Sequence, residues 1–255
     1  MDNQPLIPPK PTSEKFHPEL TRLPRLTLRR RLFRKIIGWL LPIVVKICTR
    51  SSFTGIDNLP AQGAAILVMN HLGDADAIVL MAYLTRPVEF FCKVELYSYP
   101  VLGALLDAYG VIWIHRGQPD RRALRAAMEA LQAGRLVGIA PEGRESLTGS
   151  LEPGTGGAAY LAYKANVPLV PVTYTGTENS RLYPNLKRLK RTQLTCTIGK
   201  MFSLDPAGDR QEAVSCGTQK IMQTLAGQLP PAYRGTYQAS AASQEIGAYT
   251  GELGG

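Results

Sequence analysis

Between residues 64 and 174 the chain alternates short apolar runs with segments of helical length, and this alternation limits the fold more than any other feature. The runs AAILVM (64–69), VEFFCK (88–93), VIWIH (111–115), LVGIA (136–140) and PLVPVTY (168–174) are rich in the β-branched and aromatic residues that suit strands, and LTCTIGKMFSL (194–204) extends the series. Between them lie DADAIVLMAYL, YPVLGALLDAYG, PDRRALRAAMEALQAG and PGTGGAAYLAYKANV, each closing near Gly, Pro or Asn. Strands apolar on both faces and separated by helices predict an α/β domain, a largely parallel sheet flanked by helices. At 255 residues the chain is long enough to bury one large core, and no internal repeat is visible.

Open sheets of this kind place ligands beyond the carboxyl ends of their strands. Three polar segments fall there: NHLGDAD after AAILVM, HRG after VIWI, and APEGRES after LVGI. A core position needs no His, Arg or Glu, so their convergence points to a site. His71 suits a general base if a carboxylate holds its tautomer, with Asp76 able to turn back toward the ring and Asp74 placed as the helix N-cap. The same residues also read as a strand cap followed by acids favoured at a helix N-terminus. The remaining histidines are expected to be bystanders: His115 on the opposite face of its strand and His17 in a loose N-terminus.

The charge is unevenly spread. The chain carries a formal +9, and in RLPRLTLRRRLFRK (22–35) seven of fourteen residues are basic, with no acid between Glu19 and Asp57. IIGWLLPIVVKIC follows, apolar but too short to span a bilayer, which takes about 20 residues. A basic segment joined to an apolar one predicts an N-terminal amphipathic element lying in the interface of an anionic membrane, broken or kinked at Pro42, with KRLKR (187–191) adding head-group contacts; the alternative is an N-terminal helix packed on the core with a solvated basic flank. No nucleic-acid module accompanies it. The expected organisation is a flexible 1–21, a membrane-interface segment 22–50, a catalytic domain 51–234 and a loose tail 235–255. Cys48, Cys92, Cys196 and Cys216 are scattered and indicate neither disulfides nor zinc, and the polar, Pro-rich start is unlike a cleaved secretory signal.

Four ordered motifs sharpen the reading. Asn70, His71 and Asp76 form Asn-His-x4-Asp; Gly110 to Arg116 form a glycine, an apolar run and an arginine. Pro141, Glu142 and Gly143 form Pro-Glu-Gly, and Val167, Pro168 and Pro171 lie in VPLVP. Together with CKVELYSYPVLG, carrying Lys93, Glu95, Pro100 and Gly103, they make residues 50 to 205 resemble the glycerolipid acyltransferase family, typified by 1-acylglycerol-3-phosphate acyltransferases. The resemblance implies that His71 deprotonates a lipid hydroxyl, which attacks an acyl thioester of CoA or acyl carrier protein, while Asp76 orients the imidazole. It also implies an acceptor phosphate, for which Lys93, Arg116 and Arg144 are the candidate cations. Glu142 is expected to orient Arg116 or the turn at Gly143. Backbone N–H groups near Gly73 or Gly143 are candidates for the oxyanion, and residues 143–157 are expected to form a mobile loop over the site. No metal and no resident cofactor is expected, and no GxSxG or CGxC arrangement suggests a covalent acyl-enzyme. The implied location is the cytoplasmic face of the membrane, with anionic lipid and the thioester donor as partners.

Two residues depart from the family pattern. Gly73 stands where serine is usual, and PEGRES places Glu145 where the family carries arginine, with Arg144 one position earlier. A different lysolipid or a glycolipid acceptor, a thioester hydrolase, and a non-catalytic lipid-binding protein on the same scaffold remain as alternatives.

Overall fold

The computed structural model describes residues 8–10, 12–117, 120–205 and 208–238. Its centre is a seven-stranded sheet: β1 (Thr49–Thr54), β2 (Ala65–Met69), β3 (Val88–Lys93), β4 (Ile112–Ile114), β5 (Leu136–Ile139), β6 (Leu169–Thr175) and β7 (Thr192–Ile198), in the order β1-β7-β6-β2-β5-β3-β4. Every neighbouring pair is parallel except β6 and β7, which run antiparallel. The helices are α1 (Leu28–Cys48), α2 (Ala75–Tyr83), α3 (Pro100–Tyr109), α4 (Arg121–Gln132), α5 (Gly157–Ala165), α6 (Asn179–Lys187) and α7 (Arg210–Gln228). The predicted α/β class is present, and the six apolar runs read as strands appear as β2 to β7. The sequence pattern did not yield β1, α6 or α7.

β2 shows why its run is apolar without interruption. Ala65, Leu67 and Met69 pack in the cluster that includes Val45 of α1 and Val79 and Leu80 of α2. Ile66 and Val68, pointing the other way, pack with α4, α5 and α7 through Ala127, Leu161 and Ile221. All five residues are buried, as a central strand covered on both faces requires.

α1 runs through Pro42 as one helix, so of the expected break or kink the break does not occur. The carbonyl left without its helical donor belongs to Gly38, which is exposed to solvent, and buried Arg34 and Val45 pin the helix on either side. Arg34 donates to both carboxylate oxygens of Glu89 in β3 at 2.8 and 2.7 Å and, through Nε, to the Tyr109 carbonyl at 2.8 Å, while Arg135 approaches Glu89 at 3.4 Å. α1 is therefore part of the core and residues 22–50 are not a separate unit. No helix among the described residues is long and apolar enough to cross a membrane.

The termini also differ from expectation. Ser13 N donates to the Arg116 carbonyl at 3.0 Å, Arg116 N to Ser13 Oγ at 2.8 Å, and His17 N to His115 Nε2 at 2.9 Å, so this part of the N-terminal segment is fastened to the exit of β4 rather than loose. Since a backbone N–H can only donate, His115 is the Nδ1–H tautomer, whose ring nitrogen lies 3.0 Å from Asp120 Oδ2. His115 anchors the segment and is buried. At the other end, residues 235–237 form a 3-10 turn, and Tyr237 Oη accepts from Gly154 N at 3.3 Å. The expected loose tail from residue 239 and the first seven residues lie outside the described part.

Candidate active site

β2 ends at Met69 and delivers Asn70 and His71 to the carboxyl edge of the sheet. Asn70 is buried and extends the β2–β6 ladder with its side chain, donating to the Tyr174 carbonyl at 3.0 Å and accepting from Tyr174 N at 2.8 Å. This pairing fixes where the backbone turns out of the sheet. His71 follows, its N–H donating to Glu142 Oε1 at 3.0 Å and its carbonyl accepting from Ser146 N at 2.7 Å. The backbone of His71 is thus held by the loop that leaves β5.

Asp76, in the first turn of α2, is 2% exposed and places a single oxygen, Oδ2, against three donors: Leu72 N at 2.7 Å, Gly73 N at 3.1 Å and His71 Nδ1 at 2.8 Å. Oδ1 has no hydrogen-bond partner. The two backbone donors establish Asp76 as the acceptor, so Nδ1 of a neutral His71 carries the proton and Nε2 is left basic. Nε2 makes no hydrogen bond to a described residue, and the side chain keeps 31% exposure. Burial alone would lower the imidazole pKa; the bond to Asp76, its charge, and the charges of Glu145 and Glu142 outweigh burial and raise it above the ordinary histidine value.

Glu142 is 1% exposed and bridges backbone groups: Oε1 takes His71 N and Oε2 takes Glu152 N at 2.8 Å. Its partner is not Arg116; it ties the His71 turn to the β5 loop. Burial pushes its carboxyl up to about 7 against the pull of those two N–H donors and of His71. Arg144 differs from expectation more sharply. It is 5% exposed, with Nε and Nη2 on Glu152 Oε2 at 2.9 Å each and Nη1 on the Pro8 carbonyl at 2.8 Å. Two buried opposite charges satisfy each other, so Arg144 is not available to a phosphate. Loop 143–157 is correspondingly tied down by this pair, by Leu147 N on Glu152 Oε1 at 2.7 Å and by Thr155 N on the Pro141 carbonyl at 2.7 Å.

Lys93 ends β3 and Arg116 follows β4; both are half-buried, and neither forms an ion pair within the described chain. They surround Glu95, whose carboxyl burial would raise; its own backbone N–H, the Ser13 hydroxyl, Arg116 and Lys93 together hold it below the usual range. Of the backbone donors in the two stretches expected to meet the oxyanion, Gly73 N is taken by Asp76 and Gly143 N by the Ala140 carbonyl at 3.0 Å.

Both departures in the motifs meet the start of α6. A Cβ on Gly73 would lie 2.5 Å from the Thr177 carbonyl and 2.6 Å from Asn179 Oδ1, because the start of α6 presses on this turn. Asn179 accepts from Asp74 N at 3.1 Å and donates to Glu145 Oε2 at 2.9 Å and to Asp74 Oδ2 at 3.2 Å. Tyr183 donates to the same Asp74 oxygen at 2.6 Å, so Asp74 stands at the N-cap position without capping. Asn179 and Tyr183 carried no motif and gave no sequence signal, since α6 itself was not legible. Among the described residues no group of three or more His, Cys, Asp or Glu side chains is placed to hold a metal ion.

The chain is similar to known proteins in sequence and in fold. The family model Acyltransferase matches residues 50–175. The chloroplastic 1-acyl-sn-glycerol-3-phosphate acyltransferase BAT2 of Brassica napus is 32% identical over 131 residues, 50% of this chain and 38% of that protein. The 1-acyl-sn-glycerol-3-phosphate acyltransferase of Bacillus subtilis is 28% identical over 179 residues, 68% of this chain and 86% of that protein. The match spans between 35% and 56% of the length of the first three curated relatives. The crystal structure of the 1-acyl-sn-glycerophosphate acyltransferase PlsC from Thermotoga maritima shares the fold, with a TM-score of 0.58 at 19% identity over 78% of this chain and 81% of that one. Family match, motif order and fold together mark residues 50–175 as an acyltransferase domain similar to those of 1-acyl-sn-glycerol-3-phosphate acyltransferases.

Proposed function

We propose that the protein is an O-acyltransferase that moves a fatty acyl group from a CoA or acyl-carrier-protein thioester to a lysolipid hydroxyl. The preferred acceptor is 1-acylglycerol-3-phosphate and the product phosphatidic acid, for phospholipid synthesis. The observation that carries this reading is the His71–Asp76 pair, with its Nδ1 proton fixed and Nε2 open. Nε2 takes the proton of the acceptor hydroxyl as its oxygen attacks the thioester carbonyl. The imidazolium is stabilised by Asp76, and collapse of the tetrahedral intermediate breaks the C–S bond, the proton passing to the departing thiolate. Lys93 and Arg116 are the cations toward which an acceptor phosphate would orient. Glu145, held by Asn179, favours a second acceptor class whose head group carries hydroxyls or an amine.

The membrane reading gains support from α1, where Leu28, Leu32, Ile36, Trp39, Ile43 and Ile47 are exposed at helical spacing beside exposed Arg29, Arg31 and Lys35. Arg191 Nη2 donates to the Lys46 carbonyl at 2.6 Å, bringing loop 188–191 beside the end of this stripe with Leu189 96% exposed among basic residues. This surface suits an anionic leaflet on the cytoplasmic face.

The test is thiol release from palmitoyl-CoA or palmitoyl-acyl carrier protein, with lysophosphatidic acid, other lysolipids or no acceptor, followed by mass analysis of the lipid. Acceptor-dependent release that vanishes in His71→Ala is expected. Acceptor-independent release would indicate a hydrolase, and no release with any donor would refute the enzymatic reading.

A further inference from the structure

A third half-buried cation approaches the carboxyl ends of β3, β4 and β5 from the N-terminal segment. Lys10 Nζ lies 3.6 Å from the position a Cβ on Gly143 would occupy. It is held there from both sides. Before it, the Pro8 carbonyl accepts from Arg144. After it, Thr12 Cα lies 2.6 Å from the place of a Gly117 Cβ, at a φ of +93° that also favours glycine, and Ser13 pairs with Arg116. Since β3 lies between β5 and β4, Lys10 beside Gly143 and Thr12 beside Gly117 flank the carboxyl end of β3, where Lys93 stands.

Lys10 has no hydrogen bond or ion pair among the described residues. The carboxylates whose charge it feels, Glu142 and Glu152, are occupied: Glu142 by His71 N and Glu152 N, Glu152 by Arg144 and Leu147 N. Burial, reinforced by the Arg144 charge, lowers its pKa. A partly desolvated ammonium with its donors unused is unfavourable until an anion reaches it. The phosphate of a 1-acylglycerol-3-phosphate is separated from the reacting oxygen by only two carbons and an ester oxygen, so it must lie near His71, whose backbone is bonded to the same β5 loop.

We propose that Lys10 is a specificity-determining residue of the acceptor site, binding the phosphate ester of the lysolipid together with Lys93 and Arg116. It supplies from the N-terminal segment the cation that this chain lacks at Glu145, while Arg144 is buried on Glu152. This assignment rests on the acyltransferase reading above.

The test uses the full chain with Lys10→Gln and Lys10→Arg, assayed with lysophosphatidic acid and with monoacylglycerol, varying acceptor and palmitoyl-CoA separately. Lys10→Gln should raise the KM for lysophosphatidic acid at least about tenfold, as loss of a charged hydrogen bond implies, with kcat within about twofold. Lys10→Arg should recover most of it, and the KM for palmitoyl-CoA and the rate with monoacylglycerol should not change. A lysophosphatidic acid KM within about twofold of wild type overturns the proposal, as does an equal loss with both acceptors, which would mark a structural role. A rise confined to the palmitoyl-CoA KM would assign Lys10 to the donor phosphates and overturn it too. Wild type active on lysophosphatidic acid but Lys10→Gln unchanged removes only Lys10; wild type indifferent to the phosphate removes the acceptor assignment as well.

Discussion

Replacing Asp76 by asparagine separates the orienting role of this residue from its charge. In wild type one oxygen takes all three donors, and the other has no partner. Asparagine can therefore set its carbonyl oxygen where Oδ2 stands and its amide where Oδ1 stands, keeping the Nδ1–H tautomer. The opposite rotamer would point an NH2 at three donors and is excluded. What is lost is the charge that stabilises the imidazolium. Charged hydrogen bonds contribute about 1.5–3 kcal/mol against about 0.5–1.5 for neutral ones, and the unpaired amide adds a burial cost. A barrier increase of about 2–3 kcal/mol, roughly 30- to 150-fold in kcat, is expected. Where an Asp-to-Asn change reverses the tautomer of a catalytic histidine the loss is about 10⁴-fold, so the two cases are distinguishable. The pH profile supplies the second readout. The proposed mechanism needs neutral His71, so wild-type kcat/KM should fall as pH drops through a pKa raised above the ordinary value. Without the Asp76 charge, burial dominates and the acid limb should move to lower pH. Steady-state thiol release from about pH 5 to 9 measures both. A loss as complete as in His71→Ala, or an acid limb that does not move down, would refute this account of the pair.

Other perturbations test the surrounding structure. Arg144→Ala leaves Glu152 buried without its partner and should cost about 3–5 kcal/mol in urea unfolding. Arg116→Ala should leave stability nearly unchanged but impair a phosphate-bearing acceptor more than thioester hydrolysis; equal losses would count against its role. Gly73→Ser forces the α6 start away from the catalytic turn and should lower stability by about 1–3 kcal/mol together with the rate, so a neutral result would show that Thr177 yields easily. Because α1 is bonded into the core, its deletion would confuse unfolding with release. The combined substitution of Trp39, Ile43 and Ile47 by serine should instead abolish sedimentation with anionic vesicles at unchanged melting temperature, and undiminished binding would refute the interfacial role of this stripe.

The sequence alone determined the sheet class, the central strands and the segments at their carboxyl ends, because apolar runs buried on both faces and Gly- or Pro-bounded helices are local patterns. It also singled out His71 and Asp76, five positions apart, where one turn brings the side chains together. β1, α6 and α7 escaped because β1 reads TRSSFT, α6 is a short polar helix with Pro184 inside it and only Leu182 buried, and α7 carries weak apolar periodicity, their formation resting on contacts made far along the chain. The tertiary structure alone decided which charges are spent. Arg144 and Glu142 look alike in sequence to ligands of an anion and its orienting partner, yet one is buried on Glu152 and the other on backbone amides. Lys10 lies in a Pro-rich segment with no motif, and only the pairing of that segment with the exit of β4 carries it to Gly143. Pattern in a sequence records the local backbone and which faces are apolar; whether a charge remains free for a ligand depends on partners brought from distant positions, and only the folded chain sets those.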